Sequence, residues 1–504
     1  MNKWEKIYQH PEQYIGQLFV AAAFIHDTEK EISEIESLIR DHHIGGLCFF
    51  YDRRSAAANN ADLISVRSSE NDEEILRGLI VRYRAASSIP LLIMIDAEWG
   101  LNMRLPEKQK WPYALSLAAL KNPEYIEDVA YIIGLECKTI DIDLNLAPVV
   151  DINDEPNNPV IGFRAFGDSR DHVTLCAEYY ASGLQKAGVL SCLKHFPGHG
   201  NTVIDSHVQT PSITGGIEDL WQHELHPYKM LHDKVDVIMA GHLRLPDIIE
   251  TEGKPATLSS YVLQDLLRDR IGFKGLVLSD AMNMRGIYID TDSEPSLCLQ
   301  AIEAGCDMLC YVQDIKASID YMQRNVSTDI LKRSLQHIIA LKQKRQKPQE
   351  VVSKDIDISL TRKKVFSESA ILIGDYPKYF QRIKTYNAPE EIINLFRLHY
   401  PDQVPQQDDT DLYDALVICI DTYKASVNYD LTEDQVDHLR DLFRSRDLFI
   451  IWIGNPYGFY YITEGRRPQR ALIIPESDTA AVRAVLKSIS DGVAITGQLP
   501  FHYG

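Results

Sequence analysis

Positive charge is scarce in this chain: 52 Lys and Arg stand against 72 Asp and Glu, a formal net charge of −20. So acidic a surface repels nucleic acid and anionic lipid, and a neutral or locally recognised substrate fits it best. Long apolar runs are missing too. The stretch 15–25 is too short to span a bilayer, and no other candidate span follows it. The opening MNKWEKIYQHPEQYIGQLFV lacks the basic segment, apolar core and small-residue cleavage site of a secretory signal. The eight cysteines are few and scattered, and Cys306 and Cys310 have no second pair to complete a zinc site. Cys48, Cys192, Cys310 and Cys419 sit inside apolar strand-like runs, so buried free thiols in a reducing, cytoplasmic compartment are expected. Low-complexity segments and short repeats are absent. With 45% hydrophobic and 25% charged residues, the chain reads as globular, and 504 residues predict two or three domains.

What is present is one repeated theme over the first two-thirds: a short apolar run, a turn, then an amphipathic stretch. The runs are GQLFVAA, GGLCFF, PLLIMID, DLNLAPVVD, VLSCLKHF, VDVIMAGHL, GLVLSDA and CDMLCYV. Near-continuous apolar residues suit strands buried on both faces of a parallel sheet. Helical patterns such as TEKEISEIESLIRDHH and DHVTLCAEYYASGLQKAG lie between them. Eight such units predict an α/β fold with a (β/α)8 TIM-type barrel over 1–345. A polar linker follows at 346–358. The theme restarts in SAILIGD, ALVICID, LFIIWIG and RALIIPE, which predicts a smaller α/β three-layer sandwich over 359–504.

In a barrel of this kind the site forms where strands run into their following loops. The polar residues there are Asp96, Asp151, Lys194, His195, His242 and Asp280. Any one of them is equally well a helix cap; several together in one barrel point to a site. KHFPGHG at 194–200 is the sharpest local signal, a strand leaving into a loop that Pro197, Gly198 and Gly200 keep out of helical geometry. Those residues also argue against a helical zinc pair of His195 and His199, so no metal and no cofactor is expected. Asp205 and His207 follow in DSH, and an acidic group beside a histidine fixes its tautomer and raises its pKa.

Taken in order, IDAEWG, APVVDIN, GFRAFGDS, KHFPGHG, DSH and LSDAMNM resemble glycoside hydrolase family 3, and above all its β-N-acetylglucosaminidase branch. WIGNPYGF and the closing GQLPF resemble that family's second domain. The resemblance implies a retaining exo-hydrolase with a carbohydrate partner, acting on chitin fragments or cell-wall muropeptides. It implies that Asp280 is the nucleophile, His207 the acid/base and Asp205 its orienting partner. It further implies that Asp96, Arg164, Lys194, His195 and His242 contact the terminal sugar. Arg164 has a second reading as a salt-bridge partner of its loop, and His242 as part of the barrel rim. The chain departs from the pattern at one place. Where family members read E-G-G-R, it has Glu98, Trp99, Gly100 and Leu101, which leaves Arg104 to take over and Trp99 either to stack on sugar or to pack.

Two other functions compete. A β-glucosidase or β-xylosidase of the same family takes its acid/base from the second domain and lacks DSH. A non-catalytic glycan-binding relative has lost its nucleophile or its acid/base, whereas Asp280, Asp205 and His207 all stand here.

Overall fold

The computed structural model describes residues 3–53, 71–202, 210–288, 293–347, 353–405, 412–420, 429, 431–466 and 469–502. Eight parallel strands close into a barrel: β1 (Phe19–Phe24), β2 (Gly46–Phe50), β3 (Leu92–Ile95), β4 (Leu144–Asn145), β5 (Leu190–Phe196), β6 (Val237–Ala240), β7 (Leu276–Ala281) and β8 (Met308–Cys310). The ring closes through Phe19 and Val20 of β1 against Leu309 and Cys310 of β8. Each strand is apolar along most of its length because helices cover its outer face and side chains fill the interior.

The run 143–151 is not one continuous strand. Only Leu144 and Asn145 join the ladder, and the chain touches β5 again at Val149, which bridges Lys194. Pro148, with no N–H to give, stands in that gap. The Asn145 side chain instead clamps the loop after β3, accepting from the Ala97 N–H and donating to the Ala97 carbonyl, both at 3.0 Å.

The helix Thr328–Gln346 packs on the segment Pro11–Leu18 and ends the barrel domain, and the helix Ile358–Glu368 opens the next. There a five-stranded sheet runs in the order β10 (Ile383–Tyr386), β11 (Ala415–Cys419), β12 (Phe449–Ile453), β13 (Ala471–Ile474), β9 (Ile371–Ile373), with β9 antiparallel. Two separate apolar cores fill its faces. Leu416, Ile450 and Trp452 look one way, and Val417, Ile451 and Leu472 the other. Strand alternation between two helix layers produces that division. β10 lies at the edge with three of its four residues only partly buried, so its apolar signal is weak.

The two domains are pinned together by a buried charge. Glu476, just beyond β13, accepts from Lys110 Nζ at 2.7 Å, from the Tyr113 N–H at 2.8 Å and from Ser116 Oγ at 2.7 Å. Burial pushes the Glu476 pKa up, and Lys110 opposes that rise. Removing one member of such a buried pair strands the other. Glu476→Ala is therefore expected to destabilise the chain by about 3–5 kcal/mol. Urea unfolding checks it, and a change below about 1 kcal/mol would mean that the pair is effectively solvated.

Candidate active site

At the carboxyl ends of the strands lies a narrow cavity lined by Asp96, Arg104, Arg164, Lys194, His195, His199 and Asp280 among others. Strand ends supply four of these groups: Asp96 follows β3, Lys194 and His195 lie near the end of β5, and Asp280 is near the end of β7, while Arg104, Arg164 and His199 come from the loops.

Lys194 is the hub. Its side chain is 2% exposed, with Nζ 2.9 Å from Asp96 Oδ1 and 2.8 Å from Glu98 Oε1. Arg104 Nη2 donates to the other Asp96 oxygen at 2.7 Å. Arg164 grips Glu98 with two bonds, Nε to Oε2 at 3.0 Å and Nη2 to Oε1 at 2.7 Å. Burial alone would raise both carboxylate pKa values, but the cations outweigh it. Asp96 is held well below the usual range by Lys194 and Arg104, and Glu98 falls to about 2. Burial would likewise lower Lys194, and the two carboxylates reverse that. All five groups are charged at neutral pH, a directional array suited to a polyol.

The sign of the pH dependence follows. Glu98 has a folded pKa of about 2 against an ordinary 4.5, so its contribution is present above about 4.5 and is lost as pH falls towards 2. Wild-type unfolding midpoints in urea are expected to drop across that window, and those of Glu98→Gln to drop less. Equal slopes would contradict the pairing.

Asp151 organises the neighbouring wall. It accepts from the His195 N–H, from the His199 N–H at 2.7 Å, and from His195 Nδ1 at 2.7 Å. Burial would raise its pKa, yet the His195 ring and these bonds hold it below the ordinary value. With Nδ1 so engaged, His195 keeps Nε2 for the cavity it lines. The loop beyond needs its glycines. Gly198 has φ +140° against Glu224, and a Cβ on Gly200 would fall 1.6 Å from the Ile152 carbonyl oxygen. His199 also lines the cavity. Its Nδ1 meets Thr202 Oγ1 at 2.7 Å, its Nε2 is buried without a hydrogen-bond partner among the described residues, and burial lowers its pKa to about 4, so the ring is neutral at pH 7.

Of the residues predicted from sequence, Asp96, Arg164, Lys194, His195 and Asp280 line one cavity. His242 does not. It is buried behind the wall, Nδ1 2.8 Å from Thr257 Oγ1 and Nε2 3.1 Å from the carbonyl of Ala281, the residue after Asp280. Its ring therefore ties the end of β6 to the end of β7, as the barrel-rim reading has it. Asp205 and His207 lie outside the described residues. Arg104 supplies the cation for Asp96, and Trp99 packs, its ring centroid 4.9 Å from that of Tyr113 and 6.0 Å from that of Phe163. The part of Glu98 as shared counter-charge escaped the sequence, where it stood only as a remnant of a motif. Its strand-end position was the one signal available. The eight cysteines are all buried and none is in a disulfide.

Known proteins resemble this chain in sequence and in fold. A Beta-hexosaminidase of Idiomarina loihiensis is 32% identical over 277 residues, which cover 54% of this chain and 82% of that protein. Beta-hexosaminidase LpqI of Mycobacterium tuberculosis is 30% identical over 328 residues, 62% of this chain and 76% of that one. Among solved structures, a glycoside hydrolase family 3 beta-N-acetylglucosaminidase from Paenibacillus sp. str. FPU-7 superposes with TM-score 0.77 at 25% identity, covering 98% of this chain and 99% of that one. Beta-glucoside phosphorylase BglX has TM-score 0.80 at 18% identity over 99% and 97%, a likeness of fold alone. Residues 11–342 match the Glycosyl hydrolase family 3 N terminal domain, so the chain belongs to that family and is a glycoside hydrolase.

Proposed function

We propose that this glycoside hydrolase is a retaining exo-β-N-acetylglucosaminidase with Asp280 as nucleophile and His207, oriented by Asp205, as acid/base. The carrying observation is the juxtaposition of Asp280 with Asp96, Arg164, Lys194 and His195 around one cavity, in a chain whose relatives bear the name Beta-hexosaminidase. In the first step an Asp280 oxygen bonds to the anomeric carbon as the bond to the leaving oxygen breaks. His207 gives that oxygen its proton. In the second step water attacks the same carbon, His207 takes the water's proton, and Asp280 departs as carboxylate. A carboxylate is a competent leaving group here, whereas a hydroxyl or thiol ether would trap the sugar.

The charged array binds the terminal sugar, its carboxylates accepting from hydroxyls and its cations donating to them. A cavity walled by side chains from several strand ends suits one terminal residue and hence removal from a chain end. The aglycone is a chitin fragment or a cell-wall muropeptide. Eight buried cysteines, none in a disulfide, support a reducing compartment and a cytoplasmic home.

Comparison of 4-nitrophenyl N-acetyl-β-glucosaminide with the plain β-glucoside tests the assignment. The acetamido sugar is expected to be preferred by roughly 100-fold or more in kcat/KM, as in sites that hydrogen-bond a distinguishing group. Preference for the plain glucoside would contradict the branch. Repeating the assay with inorganic phosphate separates release of free sugar, expected here, from release of sugar phosphate.

A further inference from the structure

The C-terminal domain holds a cavity of about 660 Å³ that shares no residue with the barrel site. It opens where the helix Glu433–Ser445 ends and where β12 and β13 begin, at the amino ends of two parallel strands. Its charge is opposite to that of the molecule. In a chain of net charge −20, Arg440, Arg444, Arg446, Arg466 and Arg470 line this one cavity, and among the described lining residues Asp447 and Glu464 oppose them, with Asp437 and Asp441 acting on Arg444 from nearby. The described lining itself carries five cations against two anions.

Pairing within the rim is uneven. Glu464 takes Arg444 Nη2 on both its oxygens at 2.7 Å while Arg440 Nε stands 3.9 Å away. Arg440 Nε is buried with no hydrogen-bond partner among the described residues, while its Nη2 meets the Tyr461 carbonyl at 3.4 Å and its guanidinium lies 5.0 Å from the Tyr461 ring centroid. Arg470 meets Asp447 at 2.9 Å, the Arg446 guanidinium lies 5.1 Å from the centroid of the Tyr413 ring, and Arg466 is exposed on the rim. Beneath this rim the floor is apolar, with Ile450 and Ile462 buried and Phe443 partly so. Gathering like charges around a hollow opposes folding, and the planar guanidinium fork matches phosphoryl oxygens two at a time. An apolar floor adds a place for a flat, uncharged body.

We propose that this cavity binds a phosphorylated organic anion, its phosphoryl groups on the arginine rim and its apolar body against Phe443. The volume lies within the range of small-molecule sites. The site is separate from the barrel chemistry, so this inference stands or falls independently of the glycosidase reading.

Calorimetric titration of the full chain at low ionic strength tests it, with ATP, inorganic pyrophosphate and adenosine as probes. ATP is expected to saturate one site, pyrophosphate to bind more weakly, and adenosine to give no heat. Arg466→Glu, on the exposed rim, and Arg444→Ala are each expected to weaken ATP binding by at least about tenfold, the scale of a lost charge-assisted hydrogen bond. Unfolding midpoints of both variants should stay at the wild-type value, and Arg466→Lys should retain part of the affinity. Absence of saturable heat with both ATP and pyrophosphate overturns the proposal. So does ATP affinity unchanged in both variants, or ATP binding that excess N-acetylglucosamine displaces. Pyrophosphate binding as tightly as ATP would refute the part assigned to the apolar floor.

Discussion

Asp280→Asn is expected to lower hydrolysis of the N-acetyl-β-glucosaminide by roughly 10³-fold or more, with the fold intact. The substitution keeps the shape of the side chain, which is partly exposed near the end of β7, and removes its charge and its ability to form and release a glycosyl ester. An oxygen of Asp280 accepts from the Ala281 N–H at 2.7 Å, a bond that the Asn carbonyl can also accept. Thermal unfolding should therefore move little while turnover falls. Asp280→Gly makes room for a small external nucleophile, and added azide is expected to restore release of 4-nitrophenol with formation of the α-glycosyl azide. Near-wild-type turnover in Asp280→Asn would remove Asp280 from the chemistry.

The second large effect belongs to Lys194. Lys194→Met leaves Asp96 and Glu98 buried with one cation fewer, Arg104 on the first and Arg164 on the second. Stripping a buried pair of one partner typically costs about 3–5 kcal/mol, and that loss is expected in urea unfolding. Lys194→Arg is not expected to rescue, because a planar fork cannot place one donor atom between two carboxylates as an ammonium does. A double-mutant cycle with Glu98→Gln separates the causes. If the bridge carries the effect, the second substitution recovers part of the lost stability, whereas strict additivity would show that the two groups do not interact. Sugar affinity should fall as well, because the array that meets the hydroxyls loses its central donor.

Much of the barrel was legible because its signal is redundant. Strands buried on both faces read as unbroken apolar runs; seven of the eight runs named from the sequence contain one of the observed strands, and the eighth, GQLFVAA, overlaps β1. The exceptions have local causes. β4 is cut short, with the chain rejoining β5 only beyond Pro148, and β10 is an edge strand whose exposed residues dilute the pattern. The position of the site was legible for the same reason: polar residues at strand ends are conspicuous against apolar runs. Which of those residues face the cavity was less so. Lys194 lies near the end of β5 and His242 just beyond β6, yet one is the hub of the array and the other turns behind the wall to Thr257 and the Ala281 carbonyl. That choice depends on contacts with later segments of the chain, which the strand pattern does not reveal. Glu98 was hidden likewise, since its partners Arg164 and Lys194 are far along the sequence and meet it only when the barrel closes.

The central claim is that Asp280 forms a bond to the sugar, and trapping that bond tests it most directly. Inactivation with 5-fluoro-N-acetylglucosaminyl fluoride slows departure of the sugar from the enzyme by destabilising the cationic transition state. Trypsin then releases Gly275–Arg285, GLVLSDAMNMR, in which Asp280 is the sole side-chain carboxylate. The account predicts that this peptide gains the mass of one fluorinated sugar, and that Asp280→Asn does not. A label on any other peptide, or inactivation with no covalent label, would contradict it.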